Sequence, residues 1–249
     1  MPDSREIEVF FDIHSGLPQE GPGSFESTKR ALEIAGEFPE RAEVLDVGCG
    51  PGRQTMDLAR LMPSAIITAL DNHVAFLREV QRKTTGAGVF NRVTAVEGDM
   101  SDLPAEPGSV DLIWCEGAAY IMGLQQALES WKPLLKDGGR IGLTEPVWLR
   151  PDPPAETVES FAEYPSMRDP QGCREIVEAC GYRLLGDFVL PEQDWLNYYE
   201  PMQARIDELR GKYSGDSVAT MVLDKNQAEI DDYRRNSSWY GYLFLVMAA

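Results

Sequence analysis

Val44-Leu45-Asp46-Val47-Gly48-Cys49-Gly50-Pro51-Gly52-Arg53-Gln54-Thr55 reads as a short apolar strand ending in a carboxylate, then a glycine-rich turn, then the first turn of a helix. Glycine serves where the backbone takes positive φ or lies against a ligand with no side chain between. A strand-to-helix turn of this kind is a common ligand-binding corner of α/β folds. The dinucleotide fingerprint requires G-x-G-x-x-G with an acid about 20 residues further on. Counting from Gly48, the second glycine is Gly50, but Arg53 occupies the third required place and Gly52 comes one position early. The pattern is therefore D-x-G-x-G-x-G, with Asp46 two residues before the first glycine.

Three later stretches extend the reading. Ala65-Ile66-Ile67-Thr68-Ala69-Leu70-Asp71-Asn72 is a β-branched strand ending in an acid, which can accept hydrogen bonds from both hydroxyls of a ribose. Val93-Thr94-Ala95-Val96-Glu97-Gly98-Asp99-Met100 is another strand, ending in Gly-Asp and an apolar residue. Val110-Asp111-Leu112-Ile113-Trp114-Cys115-Glu116-Gly117 reads as a fourth strand, followed by a helix, a Gly138-Gly139 turn and a fifth strand through Leu143. This ordered succession, over about residues 40 to 190, resembles the class I S-adenosylmethionine-dependent methyltransferases.

The resemblance implies an α/β fold: a Rossmann-like, seven-stranded, mostly parallel sheet with helices on both faces. It implies S-adenosyl-L-methionine as cofactor, held at the glycine turn by Asp46, Gly48, Cys49, Gly50, Gly52, Gln54 and Thr55. Asp71 and the adjoining Asn72 stand at the ribose, Asp99 at the adenine amino group, and the Met100 main chain at the adenine ring. Glu116 lies near the methionine part, where its side chain or carbonyl receives the amino group. The loop before residue 24, Asp71-Asn72-His73 and Tyr240-Gly241-Tyr242 together resemble a bacterial family of small-molecule methyltransferases, which implies no particular acceptor.

Strands alternating with helical segments independently imply a mainly parallel sheet covered on both faces. Helices are expected over residues 24–38, with Ser24 or Ser27 as cap, and over 54–62, 74–83, 124–135 and 171–180, the last closed by Gly181. Residues 182–190 read as a sixth strand and 239–247 as a seventh. Between them, residues 192–238 read as a helical, lid-like insertion interrupted at Pro201, whose Trp195, Tyr198, Tyr199, Tyr213 and Tyr233 suit a core of its own or contact with an acceptor. Residues 1–23 read as an N-terminal cover. Its Gly and Pro density marks a loop from Phe10 to Ser24 that folds across the cofactor mouth, and all 249 residues form one domain.

Methyl transfer from a sulfonium needs no metal and no enzyme nucleophile, so the expected work of the protein is orientation and exclusion of water. A general base is required only for an acceptor that arrives protonated. His14, Tyr120 and Glu145 are the candidates, while His73 reads as rim or solvent. The segment Cys115-Glu116-Gly117-Ala118-Ala119-Tyr120 lacks the Asn/Asp-Pro-Pro-Tyr motif of methyltransferases acting on DNA bases or glutamine. Together with a formal net charge of −18, this points to a small-molecule acceptor and away from nucleic acid or an anionic membrane surface. Two alternatives remain: a protein that binds S-adenosylmethionine without transferring its methyl group, and a nicotinamide-dependent oxidoreductase. Cys49, Cys115, Cys173 and Cys180 show neither zinc-site nor disulfide spacing, and no secretory pattern is read near Met1, so a cytoplasmic location is expected.

Overall fold

The computed structural model describes residues 4–162 and 164–249. In chain order the helices and strands are α1 (Ser4–His14), α2 (Phe25–Ala35), β1 (Glu43–Val47), α3 (Arg53–Leu61), β2 (Ile66–Asp71), α4 (Val74–Gly86), β3 (Val93–Glu97), β4 (Val110–Cys115), α5 (Leu124–Trp131), β5 (Leu135–Trp148), α6 (Ala155–Ser160), α7 (Pro170–Ala179), β6 (Arg183–Val189), α8 (Glu192–Lys212), α9 (Ser217–Asn236) and β7 (Tyr240–Ala248). The strands form one seven-stranded sheet in the order β3-β2-β1-β4-β5-β7-β6. Strands β1 to β5 are parallel, and β7 runs antiparallel to both its neighbours. The architecture is Rossmann-like.

Side chains on a strand alternate between faces, and the core follows that period. Val44 joins Ala31, Leu58 and Phe244 on one side of the sheet, while Leu45 and Val47 join Leu128, Trp131 and Val177 on the other. All six residues of β4 are buried, as a central strand covered on both faces requires. Because β1 to β4 are parallel, their C-terminal residues Val47, Asp71, Glu97 and Cys115 reach the same edge of the sheet, where α/β folds bind ligands. A third cluster packs Val9, Ile13 and Leu17 against Trp195, Tyr198, Tyr199, Tyr213, Ile230 and Tyr233. The aromatics of the insertion thus build a core shared with α1.

The structure departs from the expected elements in four places. Residues from Ser4 to His14, including Phe10 and Phe11, are helical rather than looped, because the Gly and Pro residues all lie beyond His14 while Val9 and Ile13 bury one face at i,i+4 spacing. The helix begun at Leu124 stops at Trp131 and passes into a 3-10 turn at Lys132–Leu134, where Pro133 supplies no N–H. Gly138-Gly139 ends no strand: β5 runs from Leu135, and the pair occupies an irregularity where pairing to β4 jumps from Val110↔Leu135 to Leu112↔Arg140. Finally, α8 continues through Pro201. A helix-interior proline costs about 3 kcal/mol, and burial of Trp195, Tyr198, Tyr199, Met202, Ile206 and Leu209 along the same helix offsets it.

Candidate active site

The glycine turn leaves β1 with Gly48, Gly50 and Gly52 all at positive φ (68°, 52° and 85°), a conformation that strains any side chain with a Cβ. Space is short as well. A Cβ on Gly48 meets that of Ala118 at 2.5 Å, so the turn lies directly against the loop after β4. Asp71, at the end of β2, ties the turn down: its Oδ2 accepts from the Gly50 N–H and its Oδ1 from the His73 N–H, each at 2.8 Å. Beside it, Asp99 is exposed at the end of β3, and its Oδ1 accepts from the Ser101 N–H and hydroxyl. Those bonds hold the Asp99 carboxyl below its usual range.

A cleft of about 340 Å³ opens over these strand ends. Its wall includes Gly48, Cys49, Gly50 and Gln54 from the turn, Asp71 and Asn72 from β2, and Asp99 and Met100 from β3. Glu116, Gly117, Ala118 and Tyr120 close it from β4. Gln19, Glu20, Gly21 and Pro22 of the N-terminal loop reach the same wall. That loop is anchored from both sides. Gln19 donates to the Gly21 and Gly23 carbonyls, the Gly23 N–H donates to the Asp194 carbonyl of α8, and the Ser27 hydroxyl donates to the Asp194 side chain.

Three of the expected contacts are elsewhere. Asp46 is fully buried behind the turn, where its Oδ2 accepts from the Thr55 hydroxyl at 2.5 Å while its Oδ1 has no partner among the described residues. Burial pushes its carboxyl up to about 7. Thr55 is buried with it. Gly52 faces α4, since a Cβ there meets Val80 Cγ2 at 2.8 Å. These residues brace the turn from inside and do not line the cleft. His73 is displaced too: its ring stacks on Phe11 at 4.1 Å and pins α1 over the start of α4.

Glu116 is saturated. Its Oε1 accepts from the Thr28 hydroxyl and the Trp114 indole N–H, each at 2.8 Å, and its Oε2 pairs with Arg53. Arg53 also donates to Asp57. Glu116 thereby joins β4, α2 and α3. His14 is buried, with Nδ1 hydrogen-bonded to Glu20 Oε2. His14 Nε2 and Glu20 Oε1 are buried without a partner. Desolvation raises the Glu20 carboxyl.

Residues 44–139, which carry the turn and the first four strand ends, match the family model described as a methyltransferase domain. Residues 44–139 are thus similar to a methyltransferase domain. The whole chain superposes on a S-adenosylmethionine-dependent methyltransferase of Geobacter sulfurreducens, solved with S-adenosyl-L-homocysteine, with a TM-score of 0.84 at 21% identity, covering 96% of this chain and 97% of that one. A dimethylglycine N-methyltransferase of Parasynechococcus marenigrum is 27% identical over 162 residues, covering 58% of this chain and 56% of the relative. A ubiquinone biosynthesis O-methyltransferase of Xanthomonas euvesicatoria is 35% identical over 127 residues, covering 49% and 48%. Across the curated relatives the chain spans about a third to a little over half of their length, between 32% and 56% for these and a Synechococcus protein.

Partly outside the matched stretch, the cleft adjoins a second cavity of about 540 Å³, bordered by Met122 (which also lines the cleft), Glu145, Tyr164, Arg168 and Cys173. Glu145 is 2% exposed. Its Oε1 accepts from the Tyr164 hydroxyl, its Oε2 has no partner among the described residues, and burial raises its carboxyl to about 7. Tyr120, on the cleft, meets Tyr164 edge-on at 5.6 Å. Of the three catalytic candidates, Tyr120 and Glu145 thus border adjoining spaces, while His14 stands under the N-terminal loop. The sequence reading missed Arg53, Glu20 and Tyr164. Arg53 carried a signal, because a cation in the first turn of a helix opposes the helix dipole and calls for a carboxylate partner.

Proposed function

We propose that the chain transfers the methyl group of S-adenosyl-L-methionine to a small-molecule acceptor. The observation that carries this reading is the convergence of the Gly48–Gly52 turn, Asp71, Asp99–Met100 and the Glu116 main chain on one cleft. The wall suits the donor. Asp71 keeps lone pairs for ribose hydroxyls beyond its two main-chain bonds, since a carboxylate offers about four acceptor sites. When bound, the donor supplies a methyl carbon already activated by its sulfonium. The chain supplies position: collinear, dry alignment of the reactants is worth roughly 7–11 kcal/mol in favourable cases. Residues 1–23 act as a cover and residues 192–238 as a lid on one domain, supported by the anchoring of the Gln19–Gly23 loop to Asp194. Among the described residues no helix is long and apolar enough to cross a membrane. A cytoplasmic setting and an acceptor other than nucleic acid are part of the same proposal, the latter supported by the net charge of −18.

Calorimetry with S-adenosylhomocysteine tests the reading. Micromolar binding, lost in Asp71→Ala and Gly48→Val, is the expected result, and absence of binding to the unaltered chain overturns it. Incubation with isotopically methyl-labelled donor and a metabolite extract then separates a transferase, which labels a compound, from a protein that only binds the donor. Enhanced NADH fluorescence on mixing speaks for the oxidoreductase alternative.

A further inference from the structure

Glu145 occupies a place that packing alone does not explain. It lies between Leu143 and Val147 on the face of β5 directed into the main apolar cluster, opposite Leu243 of β7. An ionisable side chain in an apolar row is costly to bury unless something pairs with it. Tyr164 satisfies one oxygen and leaves the other without a partner at the wall of the second cavity. The cavity meets the cofactor cleft at Met122 and across the Tyr120–Tyr164 ring contact. A ligand group in the second cavity meets the Glu145 carboxyl and the Tyr164 phenol. Arg168 is exposed on the wall of the second cavity.

We propose that the second cavity is the acceptor site and that the acceptor is an amine, its nitrogen hydrogen-bonded to the buried, otherwise unpartnered Glu145 Oε2. The inference rests on the transferase reading above and adds to it the class of acceptor and the base. A carboxylate accepts hydrogen bonds and repels anions, so it selects an ammonium over a phenolate, carboxylate or phosphate. The ring of Tyr164, on the wall of the cavity, adds attraction for a cation. In the reaction, the ammonium passes one proton to Glu145 and becomes a neutral amine. Its lone pair forms the new N–C bond as the S–C bond breaks, and that electron pair remains on sulfur, leaving a thioether. The methylated ammonium departs and Glu145 releases its proton to solvent. Burial suits Glu145 to this exchange, since a carboxyl titrating near neutrality can take and return a proton. The titratable and charged groups around it on neighbouring elements are Tyr164, Cys115 of β4 and Cys173 of α7, with Arg168 and Asp169 beyond Cys173 and Tyr242 of β7 on the opposite face of the sheet.

The test begins with calorimetry of S-adenosylhomocysteine, because loss of donor binding defeats the transferase reading itself. With donor bound, the protein is incubated with methyl-labelled donor and a metabolite extract, alongside a panel of primary and secondary amines, phenols, thiols and carboxylic acids. Mass spectrometry and NMR then locate the label. Label on nitrogen is expected, and label on oxygen, sulfur or carbon overturns the amine assignment while leaving the transferase reading standing. A bound donor with no labelled compound defeats the transferase reading and this inference with it. Glu145→Gln is expected to keep S-adenosylhomocysteine affinity within about threefold, to weaken calorimetric binding of the labelled compound's unmethylated parent at least tenfold, and to lower kcat/KM at least 100-fold. Tyr164→Phe, which removes the hydroxyl that favours the ionised carboxylate, is expected to move the acid limb of the pH–rate profile upward. Wild-type rates in Glu145→Gln, or an unmoved profile in Tyr164→Phe, overturn the role given to Glu145.

Discussion

Replacing Glu145 by Gln trades chemistry for stability, and the trade can be measured through pH. Folded, the carboxyl titrates at about 7; unfolded, it returns to about 4.5. A carboxyl raised on folding contributes its full stability below the unfolded value and loses it as pH climbs through the folded one. Between these values the ionised form becomes progressively more expensive to keep buried. At about 1.36 kcal/mol for each factor of ten, the rise from 4.5 to about 7 amounts to about 3 kcal/mol above pH 8 and only about 1 kcal/mol at pH 5. Gln cannot ionise and retains a carbonyl oxygen for the Tyr164 hydroxyl. Glu145→Gln is therefore expected to unfold at higher urea than the parent, by about 3 kcal/mol at pH 8, with the gap closing as the solution is acidified. Paired urea titrations between pH 5 and 8 at unchanged m-value make the measurement. A difference that stays constant with pH, or a variant less stable at pH 8, refutes the reasoning.

Arg53→Met leaves Glu116 charged and buried with no cation, and is expected to cost about 3–5 kcal/mol in urea unfolding; adding Glu116→Gln to it recovers most of the loss. Asp46→Asn, behind the turn, is expected to leave S-adenosylhomocysteine affinity within about threefold by calorimetry and to gain stability at neutral pH, since burial raises the carboxyl it replaces. A large loss of affinity would return Asp46 to the cleft wall. Pro201→Ala supplies the N–H that α8 lacks at that point and is expected to raise stability by about 1–3 kcal/mol.

The glycine turn and the acidic strand ends were legible because they are built from short-range geometry. A turn that needs three glycines at positive φ, and acids at the ends of β2 and β3, leave their marks within a few adjacent residues. Parallel strands then bring those ends together without further instruction. What the sequence hid depends on distant partners. Asp46 reads like Asp71 in the chain, both being acids near strand ends, yet it lies one residue before the end of β1 and turns into the interior, whereas Asp71 closes β2 and faces the opening. Tyr164 stands in a connecting segment with no periodicity to expose it, and becomes meaningful only beside Glu145. Pro201 and Gly138-Gly139 gave strong local signals that tertiary burial and strand pairing overrode.

Strand β6 touches the sheet only through β7, although the whole two-helix excursion separates them in the chain. The excursion starts and finishes at neighbouring points, because the Leu190 N–H donates to the Tyr242 carbonyl at 2.8 Å. Between those points, segments of other length and composition can be exchanged without disturbing how the strands close. Descendants of this architecture can therefore change what sits above the strand tips while the glycine turn below is inherited intact.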